Sequence, residues 1–546
     1  MTQTAERPQQ NVTRRTASLP SRVSRLTVDD TPSHYADLLG SSYVAHQTAD
    51  HRKTHGLYLT PPPVAHFMAA MLDATPQKLR ILDPAAGAGI LLCAAVERLV
   101  ALKNRPKEID LVACEIDKAL CHRLDDVLSR LASWAAKNGI KVSYTVRHED
   151  FILKNAAALH SQPRETFDAV IANPPYFKIG KDDPRAVAAS SVVHGQPNIY
   201  GLFMAVSAAL LRSSGQLVFI TPRSFASGPY FRQFRERFFS MMRPVHTHVF
   251  TSRRDAFSRD EVLQENVIFH GIRQDVWQRT TSQYKFTLSS SAGSSDLAHS
   301  VTWSGDIQDV LDTTKPGSVF RLPTSPEDEA ILRKVDRWTG SLRAYGLQIS
   351  TGPVVPFRAT EFLSAKKNGA TVPLLWMNHV HAMEIHWPNG VRKPQHIISK
   401  KPSEYLLLPN RNYVLIRRFS AKEQPRRLTA APLLARSLHA DMVGLENHLN
   451  YIHRPGGTLS EDEARGIAAL YNSSLLDDYF RCINGNTQVS ATELRAMPLP
   501  PLEEIIDLGK RVKGVSDPFT LIDNAVLDMT SRNENRPHSK SKGRSH

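Results

Sequence analysis

A chain of 546 residues is long enough for two or three domains, each with its own core. Its 41% hydrophobic and 22% charged residues match a globular protein and exclude a disordered or membrane-embedded chain. Lys and Arg exceed Asp and Glu by 68 to 53, a net charge of +15, which favours a polyanionic partner, nucleic acid first.

The four cysteines, Cys93, Cys114, Cys121 and Cys482, form no Cys-x-x-Cys pair, so neither a disulfide framework nor a zinc site is expected, and no other metal site is read. The amino terminus is polar and basic, and no stretch approaches the roughly 20 apolar residues of a membrane span. The expected location is the cytoplasm, with no membrane partner.

In chain order, residues 1–50 read as a flexible arm ending in a short helix near Tyr35 to Ser41. No nuclease domain is expected in so short a leader. Gly56 to Met68 passes from an extended segment into a helix, with Thr60 as its expected cap and Pro61 opening the first turn. Lys78 to Asp83 is a short buried strand, and Pro84-Ala-Ala-Gly-Ala-Gly89 is a tight turn into a helix from Ile90. Gly87 and Gly89 allow a ligand close to the backbone at a helix amino terminus. The strand Ile109 to Cys114 ends on Glu115, placed to accept from ribose hydroxyls. A strand from Lys141 to Arg147 ends on Glu149-Asp-Phe151, where Asp150 suits an adenine amino group and Phe151 suits the ring.

The fourth strand, Phe167 to Ala172, delivers Asn173-Pro-Pro-Tyr176. An apolar run stops at a side-chain amide, and two prolines stiffen the chain directly after it. The oxygens of Asn173 and Pro174 are two acceptors beside the flat face of Tyr176, with Pro175 fixing the turn between them. That suits a planar substrate bearing an NH₂ group. The plain alternative is a loop that only stops a strand.

Four strands separated by helices, each with a polar tip, describe an open parallel α/β sheet with its site along one edge. The order Thr-Pro-Pro, Asp-Pro-x-x-Gly-x-Gly, Glu, Asp-Phe, Asn-Pro-Pro-Tyr resembles the TaqI-like, γ-order DNA adenine-N6 methyltransferases of type II restriction-modification systems. The resemblance implies a Rossmann-like catalytic domain that uses S-adenosyl-L-methionine, followed by a mixed α+β target-recognition domain. It implies that Thr60, Pro61, Asp83, Ala85, Gly87, Glu115, Asp150, Phe151 and Asn173 hold the cofactor. Asn173, Pro174, Pro175 and Tyr176 then act on a flipped adenine of double-stranded DNA, and Phe257 packs against that base. A separate cognate restriction endonuclease is the implied companion.

Beyond this loop, a helix from Asn198 to Arg212, a strand from Gln216 to Thr221, a helix near Tyr230 to Met241 and strands Val245 to Thr251 and Val262 to Phe269 extend the sheet. From about Gln274 the sequence turns Ser- and Thr-rich, notably Ser289 to Ser295, with few strand candidates. The expected domains are 51–323, catalytic, and 324–530, target recognition, with a disordered basic tail over 531–546.

Within the second domain, Arg411 to Arg436 holds seven basic residues against Glu423 alone. Arg417, Arg418, Lys422, Arg426 and Arg427 are therefore candidate DNA contacts, as are Asn486 and Gln488, whose side chains suit adenine edges. A solvated basic face is the plain alternative. Ile349 to Val354, Gly444 to Tyr451 and Gly485 to Arg495 look like stretches of PstI- and BsuBI-type adenine methyltransferases, which implies the site CTGCAG. Rival readings are a methyltransferase acting on RNA or on protein glutamine, and a DNA-binding subunit without turnover.

Overall fold

A computed structural model describes residues 31–48, 59–73, 77–252, 265–314, 317–390, 392–420, 424–484 and 488–534. The arm over 1–30, the candidates Phe257, Lys422 and Asn486, and the tail from 535 lie outside the described residues. The chain divides into two compact units, Met1–Thr324 and Ser325–His546.

The first unit is built on a nine-stranded sheet. Its strands are β1 (Lys78–Asp83), β2 (Glu108–Glu115), β3 (Lys141–His148), β4 (Phe167–Ala172), β5 (Leu211–Pro222), β6 (Met242–Phe250), β7 (Asn266–Arg273), β8 (Lys285–Ser291) and β9 (Val301–Asp306). They lie in the order β3-β2-β1-β4-β5-β7-β6-β8-β9. The strands from β3 to β5 are parallel, and β7 runs antiparallel between β5 and β6. The order reverses direction at β1, between β2 and β4, and in open α/β sheets the crevice beyond the strand tips at such a point takes the ligand.

Described helices of this unit are α1 (Pro32–Ala45), α2 (Pro62–Ala70), α3 (Ile90–Val100), α4 (Lys118–Lys137), α5 (Phe151–Asn155), α6 (Pro184–Ala188), α7 (Ile199–Leu210) and α8 (Arg232–Met241). The sequence pattern explains their starts. Asp117, Asp150, Asp183 and Asn198 each accept from an amide of the first turn of the following helix, which satisfies donors that the helix itself leaves open. Burial on both faces explains the near-continuous apolar runs of the central strands. One core, holding Val170, Met204, Phe219 and Phe269, lies on one side of the sheet, and a second, holding Leu92, Leu128, Ile171 and Ile220, lies on the other.

Three expectations are corrected here. Helix α1 spans Pro32–Ala45, longer than the segment read from sequence. Helix α2 is capped by Pro61 with no side-chain bond, because the Thr60 hydroxyl is engaged elsewhere. The serine run does not begin as a loop. Ser289 to Ser291 complete β8, where the Ser289 hydroxyl meets His246 and His248 at 2.8 Å and Ser291 meets His248 at 3.0 Å.

The second unit opens with a helix, Pro326–Val335, and its described residues continue into two larger sheets and a two-stranded ribbon of Val380–His381 with Glu384–Ile385. An antiparallel sheet orders Gln348–Thr351, Leu449–His453, Tyr413–Arg417 and Ala430–Leu433. A mixed sheet orders Leu363–Ser364, His396–Ile398, Thr371–Leu375, Met442–Leu445 and Leu407–Pro409. Five helices follow among the described residues between Glu461 and Glu534. The last reaches Glu534, so residues 531–534 are helical and not tail.

Candidate active site

The turn after β1 is shaped by its glycines. Gly87 has φ +56°, and a Cβ built there would meet nothing within 4 Å, so the backbone faces open space. Gly89, at φ +86°, sits against Leu124, where a Cβ would approach to 2.8 Å. One glycine thus opens the site and the other lets α3 pack on α4.

Two buried carboxylates flank this turn. Asp83 is fully buried, with Oδ1 accepting from the Ala85 amide at 3.1 Å and Oδ2 unpaired. Burial, reinforced by Glu115, pushes its pKa up to about 8. Glu115 accepts from the Gly87 amide at 2.9 Å through Oε2 and from the Asp117 amide at 2.9 Å through Oε1, and burial raises its pKa. The Tyr43 hydroxyl of α1 donates to Asp117 at 2.5 Å, so α1 braces this tip.

Between these acids Ile116 is 50% exposed. Sequence reasoning passed over it. Its signal is an apolar side chain between two acidic residues at a strand tip, where solvation of a bare aliphatic group gains nothing.

At the third tip, Asp150 caps α5 by accepting from the Leu153 amide at 3.0 Å through Oδ1. Phe151 does not offer an open platform. Its ring is 2% exposed and stacks on Phe203 at 5.5 Å, so it belongs to the core beneath the tip.

The fourth tip holds the organising loop. The Asn173 Nδ2 donates to Thr60 Oγ1 at 3.1 Å, and the Tyr176 hydroxyl lies 2.5 Å from Asn173 Oδ1 and 2.9 Å from the Ile220 carbonyl. Thr60 is only 4% exposed. The amide is therefore held from the segment before α2 on one side and from its own loop on the other. Burial raises the Tyr176 pKa well above its usual value, which keeps the hydroxyl protonated and able to donate. A hydroxyl carries one hydrogen, so it serves the two acceptors in turn. The Tyr176 ring meets Tyr200 edge-on at 6.1 Å.

The structure brings Thr60, Asp83, Ala85, Gly87, Glu115, Asp150 and Asn173 to the carboxyl ends of β1, β2, β3 and β4 or, for Thr60, into contact with them. The basic segment of the second unit is different. Arg427 is fully buried, its guanidinium reaching Asn484 at 3.3 Å and lying over Phe480, while its amide donates to Asp477 at 2.6 Å. Arg426 lies over Phe519 and bonds the Asn472 carbonyl. Arg417 donates to the Val380 carbonyl at 2.5 Å. Arg418 donates to the Asn447 carbonyl at 2.9 Å, and with its amide turned to accept, Gln488 takes two further bonds from the same guanidinium at 2.6 and 2.8 Å. Arg417, Arg418 and Arg426 are half-buried, and their guanidinium groups engage backbone carbonyls while part of each side chain stays open to solvent. For Arg427 alone, closed off from solvent against Phe480 and Asn484, the expected DNA contact gives way to a structural role.

Fold and tips together define a Rossmann-like methyltransferase with S-adenosylmethionine as its cofactor. The comparisons agree. Residues 112–257 match the Eco57I restriction-modification methylase family. The chain is 32% identical over 479 residues to type II methyltransferase M.PstI of Providencia stuartii, covering 87% of this chain and 92% of that one. It is 34% identical over 466 residues to type II methyltransferase M.BsuBI of Bacillus subtilis, covering 84% and 90%. The type IIL restriction-modification enzyme MmeI, solved in complex with DNA, has the same fold at TM-score 0.54 and 10% identity, covering 92% of this chain and 78% of that one. This chain belongs to the type II methyltransferases of restriction-modification systems.

Proposed function

We propose that the protein transfers a methyl group to the N6 amino group of adenine within a short duplex DNA sequence, CTGCAG by its likeness to the PstI and BsuBI type. The observation that carries this reading is the Asn173 amide, fixed at the tip of β4 by Thr60 and Tyr176. Adenine N6 is a weak nucleophile because its lone pair is delocalised into the ring. The Asn173 side-chain oxygen and the Pro174 carbonyl accept its two hydrogens, draw the nitrogen toward a tetrahedral shape and stabilise charge as it builds. Tyr176 transfers its hydrogen bond to the Ile220 carbonyl when Asn173 Oδ1 takes up the amino group. The Tyr176 ring stacks on the extruded base, whose unstacking costs a few kcal/mol.

The residues present fit the cofactor. Gly87 opens the backbone beside Ala85, Asp83 holds a buried unpaired oxygen suited to a cationic partner, and Glu115 presents acceptors to ribose hydroxyls. Asp150 and Ile116 receive the adenine end through a carboxylate and an apolar face. S-adenosylmethionine supplies an activated methyl on a sulfonium. The protein works in the cytoplasm on host DNA and protects it from a separate endonuclease.

Labelled methyl transfer to duplex DNA, RNA and protein in parallel tests the reading, followed by nucleoside analysis and site mapping. N6-methyladenine at a fixed duplex site is expected. Asn173→Ala abolishes transfer while cofactor binding persists; turnover near wild type in that variant would remove Asn173 from the mechanism.

A further inference from the structure

Arg427 is buried, and Arg417, Arg418 and Arg426 are half-buried and engaged on carbonyls, but a second group of cations in this unit stands in solvent. Between Arg358 and Tyr405 stand seven basic residues, Arg358, Lys366, Lys367, Arg392, Lys393, Lys400 and Lys401, against Glu361, Glu384 and Glu404. All seven are exposed. None forms an ion pair or side-chain hydrogen bond among the described residues, and Glu384 is paired with His386 at 2.9 Å. Most arginines elsewhere in this unit do have partners, as with Arg454 and Glu463, Arg481 and Asp477, or Arg436 and Glu461.

The seven charges gather on one small body. Ser364 pairs with His396 and Thr371 with Ile398, so the loop bearing Lys366 and Lys367 passes from one end of the His396–Ile398 strand to the other. At the far end the Ser399 amide donates to the Ala370 carbonyl at 2.7 Å, and Lys400 and Lys401 come directly after. Lys393 Nζ lies 4.6 Å from the Trp376 ring, whose Nε1 donates to the Pro394 carbonyl at 2.6 Å. Ala359, Leu374, Trp376, Ile397 and Leu406 share one core beneath these segments. Phe357 and Tyr405, 75% and 72% exposed, stand beside Arg358 and the Lys400–Lys401 pair.

Like charges on one surface repel one another, with screening over a Debye length of about 8 Å at physiological salt, and the three carboxylates of the segment offset only part of the seven cations, Glu384 being already paired with His386. A polyanion offsets the rest. We propose that this basic face of the Arg358–Tyr405 subdomain is the surface that holds the DNA phosphate backbone, with Phe357 and Tyr405 packing against sugar or base. It rests on the proposed DNA methylation and assigns the backbone-positioning contacts, which set orientation without reading sequence.

The test is salt-dependent binding of the full-length protein to a duplex containing its site, comparing wild type with the K366Q/K367Q/K400Q/K401Q variant. Each neutralised phosphate contributes about 0.9 to the slope of log K against log salt, so four lost contacts lower the slope by about 3 to 4 and the affinity by about 10²- to 10³-fold at ~0.15 M salt. Cofactor affinity is expected to be unchanged, which shows that the variant is folded. If wild type binds the duplex and the variant keeps its slope and affinity, the surface lies elsewhere and the inference is overturned. If wild type binds no duplex, the DNA reading fails and this inference with it. Equal binding of duplex RNA with the same slope overturns the choice of DNA. Lysine acetylation of the wild-type protein gives an independent readout: the duplex should protect Lys366, Lys367, Lys400 and Lys401, and unprotected lysines overturn the assignment.

Discussion

Thr60→Val replaces the hydroxyl that receives Asn173 Nδ2 with a methyl group of nearly the same size. The hydrogen bond it removes is 3.1 Å long and its acceptor is well shielded, since Thr60 is 4% exposed. Water cannot readily take the place of that oxygen, so the amide loses about 1–2 kcal/mol of orienting energy. Every 1.36 kcal/mol is tenfold in rate, and the expected loss is about 5- to 30-fold in kcat at saturating cofactor and DNA. Thr60→Ser keeps the oxygen and should retain most of the activity. The assay is single-turnover methyl transfer beside calorimetric cofactor binding. If the Val variant turns over like wild type but binds cofactor tenfold more weakly, Thr60 serves the cofactor and does not position Asn173, and the reasoning is refuted.

Tyr176→Phe removes the hydroxyl shared by Asn173 and Ile220 but keeps the ring, so single-turnover rates should stay within about tenfold of wild type, one hydrogen bond's worth of energy. Tyr176→Ala should lose far more on a paired duplex target than on one with a mismatched, already unstacked adenine; equal losses on both would exclude stacking. Asp83 holds its proton in the fold because its pKa is pushed from 3.8 up to about 8. Its ionisation in the unfolded chain therefore lowers the stability of the unliganded protein progressively as pH rises through that window. Asp83→Asn should melt higher than wild type without cofactor, by a margin that grows toward pH 8, yet bind cofactor more weakly; a lower melting temperature at all pH values would contradict the buried-acid account. His248 and His270 are buried and His246 is half-buried, and removal from water lowers their pKa values to about 3, 3 and 4 respectively. The stability they contribute as neutral rings is fully present above their ordinary pKa of 6.5 and is lost as pH falls toward those values, by up to about 1.4 kcal/mol per ring per pH unit. Thermal melts between neutral and mildly acidic pH should show this loss, reduced in His270→Gln.

Strands β1, β2 and β4 were legible because each apolar run is short, mostly buried and closed by a polar tip, whereas the edge strand β3, with alternating exposed and half-buried residues, showed a strand's period of two. Asn173 could be singled out for the same reason: a strand stops and two prolines come next. The support of Asn173 was not legible, because Thr60 stands 113 residues earlier and, beside three prolines, reads locally as a helix cap. Ser289 and Ser291 looked like loop because serine is a common turn residue, its hydroxyl bonding the local backbone. Their partners, His246 and His248, come from a strand more than 40 residues away. Arg427 misled for a related cause. A charge run has the same spelling whether its guanidinium groups meet phosphate or backbone carbonyls, and Arg427 lies over Phe480 only because a later helix folds back on it. The lysines after Arg358 are more scattered in sequence and become one face only when Ser364 and Thr371 pair with the same strand.

The reversal of strand order at β1 also sets a sequence of events for the chain as it is made. Strands β1, β2 and β3 are contiguous over residues 78–148 and pair only with one another until β4 arrives at Phe167. At a synthesis rate of about 5–20 residues per second, the turn of Gly87 and the tip of Glu115 gain their sheet partners seconds before Asn173 has its own. Strand β4 must then join the side of β1 left open, and β7 must later insert between β5 and β6, a non-local pairing of the slow kind. The nascent protein thus presents an unfinished sheet edge at β1, and mutations that weaken the β1–β4 pairing should first show as poor yield on expression at high temperature.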